Sequence, residues 1–248
     1  MCGTFLYYII AINNTIIPAL RNIYSEQPKA TTNTEKEVVK ILNYLDSNPQ
    51  AEIQYRASRM QLAIHSDPSY LPVSQARSRA SGVHFLTEGT TDPKNPEYFV
   101  PTTNSFLLVV CKIMRNIMAS AAEAEYGTIF VNAQTALPIR TTLSEMGWKQ
   151  VPTDTQEDNS TAVGIVTKEF LQNNSKAMDM RFYWINGRIK QGQFRVFWRP
   201  GPENLGDYHS KHHPHEHHIA VCSKYVHVPN LHLLQGSINL TVRVNPTK

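Results

Sequence analysis

A chain of 248 residues with 41% hydrophobic and 18% charged residues has the apolar material for one large domain, or one ordinary domain with an appendage, and is neither disordered nor fibrous in composition. The formal charge of +4 lies wholly in residues 59–248, which hold nineteen Lys/Arg against fifteen Asp/Glu, whereas residues 1–58 balance at five and five; this surplus suits a phosphate-bearing partner without establishing one. Three widely spaced cysteines, Cys2, Cys111 and Cys222, exclude a disulfide framework or a cysteine-built zinc site and suit a reducing compartment.

The first element is a helix over residues 4–24, broken near Asn13-Asn14. Its apolar run from Phe5 to Ile17 is too short to cross a bilayer and lacks the basic flank and cleavage site of a signal peptide, so a buried helix is expected, with no membrane partner and no secretion. After a turn-rich stretch, Thr34 with Glu37 has capping-box spacing and opens a second helix, on which Val38, Ile41, Leu42 and Leu45 share one face. From residue 52 the period changes to two. Ile53 and Tyr55 suggest one strand; Met60, Leu62 and Ile64 suggest another, ending at Asp67. Short strands are expected at 82–86 and 107–111, with a loop over 87–97.

Ser120 and Glu123 form a second capping box, opening a helix over about 121–135, and a separate helix is expected from Pro138 to Met146. Thr153, Thr155 and Glu157 alternate as a strand, and Asn159-Ser160 can cap a helix to about 170. A helix over 175–190, a strand through Phe194, Val196 and Trp198, and a short helix holding Asp207 complete the order. The pattern is α/β: a mixed sheet flanked by helices and preceded by a small helical segment.

Several acids fall at element ends: Asp67 closing a strand, Glu125 one turn into a helix, Asp158 after a strand and Asp207 at the start of the last helix. Neighbouring carboxylates repel unless cations neutralise them, and hard oxygen donors suit Mg²⁺ or Mn²⁺, two of which can serve phosphodiester cleavage. Spacing alone does not select these four from twenty acids, and an Asp before a helix is often only a cap. Asp154 and Glu157 are structural rivals to Asp158.

His65-Ser66-Asp67, followed by the run from Ala76 to Leu86 (ARSRASGVHFL), resembles the opening Asp and "TRRSTSGYVFFL" segment of the ribonuclease H domain of copia-type retrotransposons. The run from Ser120 to Tyr126 (SAAEAEY) is similar to that family's "SSTEAEY", and Glu157–Ala162 (EDNSTA) to its "CDNQSAI". Lys176–Asp179 resembles "KHID", and Asn204–Lys211 resembles "QLADIFTK". Upstream, Gly3–Tyr8 and Ile41–Leu45 look like the helical tail of a reverse transcriptase.

This resemblance implies the C-terminal part of a retrotransposon polyprotein: residues 1–51 as an incomplete reverse-transcriptase tail, 52–212 as a ribonuclease H-like domain, and 213–248 as a His-rich tail. It implies an endonuclease that hydrolyses the RNA strand of RNA·DNA hybrids, with Asp67, Glu125, Asp158 and Asp207 as metal-binding catalytic acids and two Mg²⁺ ions, or Mn²⁺, as cofactors. Arg77, Arg79, Lys176 and Arg199 are the expected phosphate contacts, and the missing polymerase portion is a further expected partner. The implied location is the cytoplasm, within a virus-like particle, or the nucleus. No Tyr-x-Asp-Asp motif occurs, so polymerisation by this chain alone is excluded.

Three departures from the family pattern bear on activity: Pro68 directly after the first acid, where proline removes an N–H; Gly206 where Ala is expected, which loosens a helix; and the absence of any His between Arg195 and Asp207, where some cellular ribonucleases H use one, His209 lying on the wrong side of the last acid. A catalytically inactive remnant that binds nucleic acid is therefore the main alternative. An integrase is disfavoured because the Glu lies between the Asp residues. The tract His209, His212, His213, His215, His217 and His218 lacks a zinc-motif spacing, and Pro214 is expected to prevent a helix there, leaving an exposed polar tail.

Overall fold

The computed structural model describes residues 2–73, 76–88, 90–92, 95–167, 176–211 and 213–227. Three helices come first: α1 (Cys2–Ala11), α2 (Ile17–Glu26) and α3 (Thr32–Ser47). The expected break at Asn13-Asn14 is a single 3₁₀ turn over Asn14–Ile16, which Asn13 caps by accepting the Thr15 N–H at 3.1 Å. The α3 cap lies one turn earlier than the sequence suggests. Thr31, not Thr34, accepts the N3 amide, and the Thr34 hydroxyl accepts from the Thr31 amide at 3.1 Å. Thr-Thr-Asn-Thr offers a hydroxyl in both phases, and the earlier one gains an extra turn of helix. Ile9, Ile16, Ile17, Leu20, Ile23 and Ile41 form a buried cluster that includes Cys111 of the sheet, so the helices pack directly on it.

The sheet strands are β1 (Gln61–Val73), β2 (Arg77–Thr87), β5 (Phe106–Ile113), β6 (Thr153–Glu157) and β7 (Phe194–Trp198), in the order β5-β2-β1-β6-β7. β2 runs antiparallel to β1 and β5, while β6 is parallel to both β1 and β7. This mixed sheet flanked by helices is the α/β architecture expected from the sequence. The stretch expected to be a loop carries a small hairpin, β3 (Thr90–Asp92) with β4 (Asn95–Val100). Residues 53–60 form no strand: the Tyr55 hydroxyl and the Arg56 amide bond instead to Phe106 O and Asn104 Oδ1.

Alternation along β1 divides the core. Leu62 and Ile64 bury against Ala133, Ala136 and Leu143 of α4 (Ala121–Glu145), whereas Ala63 packs with Leu205, Tyr208 and Tyr225. Helix α4 is one continuous element through Pro138, where two were expected. The proline is exposed and removes one backbone bond, while the apolar face on either side stays anchored to β1. Helices α5 (Ser160–Thr167) and α6 (Lys176–Lys190) add Val166 and Ile185 to a cluster with Tyr126, Ile129 and Val196.

The opposite face is closed by α7 (Asp207–Ser210) and α8 (His215–Val221). The described part of the C-terminal region is not the exposed tail expected of it. Pro214 is the N-cap of α8 rather than a helix breaker, Cys222, Tyr225 and Val226 are buried, and Glu52 bridges to His227. Residues 228–248 lie outside the described residues.

Candidate active site

Where β6 stops pairing with β1, at His65↔Gln156, the two strands diverge and acids gather in the opening. Asp67 is not strand-terminal as expected. β1 continues to Val73, with Asp67 opposite Ser81 and Pro68 opposite Ala80 in the ladder with β2. Pro68 lies beyond the β1·β6 pairing, where one side of the strand has no ladder to interrupt, and proline is tolerated on such an edge.

Glu125 comes from the start of α4. Ser120 caps that helix by accepting the Glu123 amide at 3.1 Å, and Glu123 accepts the Ala119 amide at 2.6 Å, so Glu123 serves the cap and Glu125 is left for the site. Asp158 follows β6 directly. Asn159 caps α5 by accepting from Thr161 and Ala162 at 3.0 and 3.1 Å, while the Trp198 indole donates to Asp158 O at 2.8 Å. A Cβ at Gly201 would stand 2.9 Å from Asp158 Oδ2, so glycine there leaves the carboxylate its room.

Asp207 begins α7 and forms an ion pair with Lys211. The turn before it is tied to the strands: Asn204 donates to Ser66 O at 2.7 Å, Ser81 donates to Gly206 O at 2.7 Å, and the Leu205 amide donates to His65 Nδ1 at 3.0 Å. A Cβ at Gly206 would lie 3.0 Å from Asp67 N and 3.1 Å from Asp67 Cβ. Gly206 thus precedes the helix and permits close approach of two acid-bearing segments; the loosened helix expected from it is not its main consequence.

Glu157 joins the four expected acids. By sequence it is only a structural rival to Asp158, yet carboxylate oxygens of Glu125, Glu157 and Asp158 all lie within 4.8 Å of one another. Glu157 is 0% exposed. Both its oxygens lack a hydrogen-bond partner, as do Asp67 Oδ2 and Glu125 Oε2. Burial above all, with Asp207, Glu125 and Asp158 nearby, raises the Asp67 pKa to about 8. Burial, and then Asp158, raises Glu125 to about 7. Glu157 is pushed well above the usual carboxylate range by burial and by the Glu125 and Asp67 carboxylates, and Asp158 is raised by burial and by Asp207. The Lys211 pKa is raised: burial opposes its charge, but Asp207, Asp67 and Asp158 outweigh that.

These donors fit a hard divalent cation. All are carboxylate oxygens, and several are buried without a donor to satisfy them.

The basic residues divide differently from expectation. Arg79 is 5% exposed and donates to Asn22 Oδ1 at 2.6 Å, which ties β2 to α2 and withdraws it from any phosphate. Arg77 is half-buried at the start of β2, and Arg199 follows β7, its amide bonded to Glu157 O at 2.9 Å. The Lys176 side chain lies outside the described residues. His209 is fully buried, edge-on to Tyr208 and Tyr225, and burial lowers its pKa to about 3. It is a core residue.

No family model matches the chain, and no curated protein matches it. Among solved structures it is similar to LC11 ribonuclease H1, isolated from compost by a metagenomic approach, with 11% identity, a TM-score of 0.38 and coverage of 60% of this chain and 92% of that one. The same enzyme in complex with an RNA/DNA hybrid gives 11%, 0.39, and 58% and 88%. The N-terminal ribonuclease H domain of a Mycobacterium tuberculosis protein gives 13%, 0.37, and 61% and 94%.

Proposed function

We propose that the chain is a metal-dependent endonuclease that hydrolyses the RNA strand of RNA·DNA hybrids during retrotransposon reverse transcription. In this reading residues 1–51 are the tail of a reverse transcriptase, residues 52–212 the nuclease domain, and the polymerase portion of a copia-type polyprotein a partner. The observation that carries it is the gathering of Asp67, Glu125, Asp158 and Asp207 at one end of the mixed sheet, with buried carboxylate oxygens that have no donor.

Asp67, Glu125, Asp158 and Asp207 would hold two Mg²⁺ or Mn²⁺ ions. When bound, such ions supply Lewis-acid stabilisation of the charge that develops on a phosphodiester during hydrolysis. The protein's own part is positional. The Asn204–Gly206 turn presses Asp207 toward Asp67, the Ser120 cap starts α4 so that Glu125 faces the sheet, and the Asn159 cap fixes the backbone beside Asp158. Lys211 holds Asp207 in place and offers a positive charge at the mouth of the site.

A hybrid would be selected by its A-like shape and 2′-hydroxyls across the shallow minor groove rather than by base edges. Arg77, Lys176 and Arg199 remain the proposed phosphate contacts. No described helix is long and apolar enough to cross a membrane.

The test is direct. Purified chain is incubated with an end-labelled RNA·DNA hybrid and Mg²⁺; the RNA strand is cut, and Asp158→Asn abolishes cutting. Hybrid binding without cleavage at any Mg²⁺ or Mn²⁺ concentration would overturn the nuclease reading in favour of an inactive, nucleic-acid-binding remnant.

A further inference from the structure

Glu157 has no place in the four-acid reading, and its surroundings are unlike those of any other acid on β6. It ends the strand, and alternation puts its side chain on the same face as Thr153 and Thr155, opposite to Asp154 and Gln156. It is wholly buried, and both carboxylate oxygens lack a hydrogen-bond partner. The Ser66 hydroxyl influences its charge but stays outside hydrogen-bond geometry and is itself unpartnered, and Glu125 offers a second carboxylate rather than a cation. Asp154, by contrast, has Arg195 at 2.5 Å.

A buried carboxylate left without a cation or donor is costly, and mutual approach of three acids raises the cost further. The spacing of the three is that of ligands around one ion, since each offers an oxygen within 4.8 Å of the other two. We infer that Glu157 is a direct ligand of the divalent ion held by Glu125 and Asp158, forming an all-carboxylate triad at the buried side of the site. This rests on the nuclease reading above and adds a fifth acid to it.

The consequence is a specific one. Mg²⁺ sites usually take one or two carboxylates and leave the remaining positions to water and substrate phosphate. Three carboxylates on one ion over-neutralise it and hold it without any nucleic acid present. The free protein therefore retains one divalent ion tightly, and Glu157 is responsible for much of that retention.

The test is metal binding by the full chain, without substrate, followed by titration calorimetry with Mn²⁺. Wild type binds at least one ion. Glu157→Gln keeps the shape of the side chain and removes its charge; it weakens that ion at least about tenfold, the lower end of the loss seen when groups that merely support ligands are removed. It also unfolds at a higher temperature than wild type in chelator and gains less from added Mn²⁺. A second variant, Glu157→Cys, offers a thiolate at the same position and shifts preference from Mn²⁺ toward Cd²⁺, with a sulfur-to-cadmium charge-transfer absorbance absent from wild type. This signature answers the question even if Glu157→Gln does not fold. Unchanged Mn²⁺ affinity in Glu157→Gln, or Glu157→Cys without a cadmium signature, overturns the inference while leaving the four-acid nuclease intact. Absence of Mn²⁺ binding by wild type removes both.

Discussion

Asp154 and Glu157 lie three residues apart on β6 and are both almost wholly buried, at 5% and 0% exposure, but the chain treats their charges in opposite ways. Asp154 stands opposite Arg195 in the β6·β7 ladder and accepts from its Nε at 2.5 Å. Glu157, at the other end of the strand, faces Glu125 and Asp67 instead. A cross-strand ion pair is how a sheet tolerates a buried acid for structural reasons. An end of the same sheet that gathers acids and leaves their oxygens bare retains a cost that packing could have removed, and such retained cost clusters at functional sites.

Breaking the uncompensated end has the largest expected effect. Asp158→Asn or Asp67→Asn lowers hybrid cleavage by at least about 100-fold, because removal of groups that only support ligands already costs 10–100-fold. Neither variant loses thermal stability in chelator, since each removes a member of a repelling set. A loss of stability in chelator equal to the loss of activity would make these acids structural, like Asp154.

The second effect is on pH dependence. Asp67 and Glu125 have folded pKa values raised to about 8 and about 7, above their ordinary values of 3.8 and 4.5. The unfolded chain therefore releases these protons first. The stability contributed by keeping them is fully present below about pH 4 and is lost as pH rises through about 7 to 8. In chelator the unfolding midpoint falls across this window, and saturating Mg²⁺ flattens the fall. A slope that is the same with and without Mg²⁺ contradicts ion sharing by these carboxylates.

Breaking the compensated end sharpens the contrast. Arg195→Ala leaves Asp154 buried without its cation and destabilises the fold by about 1–3 kcal/mol, at the lower side for a buried pair because Arg195 is partly exposed. Cleavage per folded molecule stays near wild type. Gly206→Ala pushes the 204–206 turn away from Asp67 and costs about 1 kcal/mol, with a small loss of Mn²⁺ affinity. Smallest of all, His215→Ala with His217→Ala on the exposed side of α8 leaves cleavage and stability unchanged, which separates the His tract from the acidic site.

The sequence made one side of this contrast legible and hid the other. Asp158 and Glu125 sit beside cap signals, Asn159 and Ser120, that fix where their elements begin, so their positions followed from local chemistry. Glu157 did not. Every residue of β6 is buried, so its pattern gives no sign that Glu157 reaches the site as Asp158 does. Arg79 looked like a surface cation because charge usually means exposure; its burial depends on α2 packing over the sheet and offering Asn22. The region after Pro214 is opaque in sequence for a related reason: proline breaks a helix interior but suits a helix start, and only the bond from the Tyr225 hydroxyl to Leu205 O ties the segment after α8 to the fold. The continuity of α4 through Pro138 was hidden in the same way, being held by contacts with β1.

The acids at the divergence of β1 and β6 are proposed to share divalent ions, and anomalous diffraction from crystals soaked in Mn²⁺ would locate them. Manganese peaks are expected among Asp67, Glu125, Glu157, Asp158 and Asp207; peaks confined to the histidines near α8, with none among these carboxylates, would refute ion sharing there.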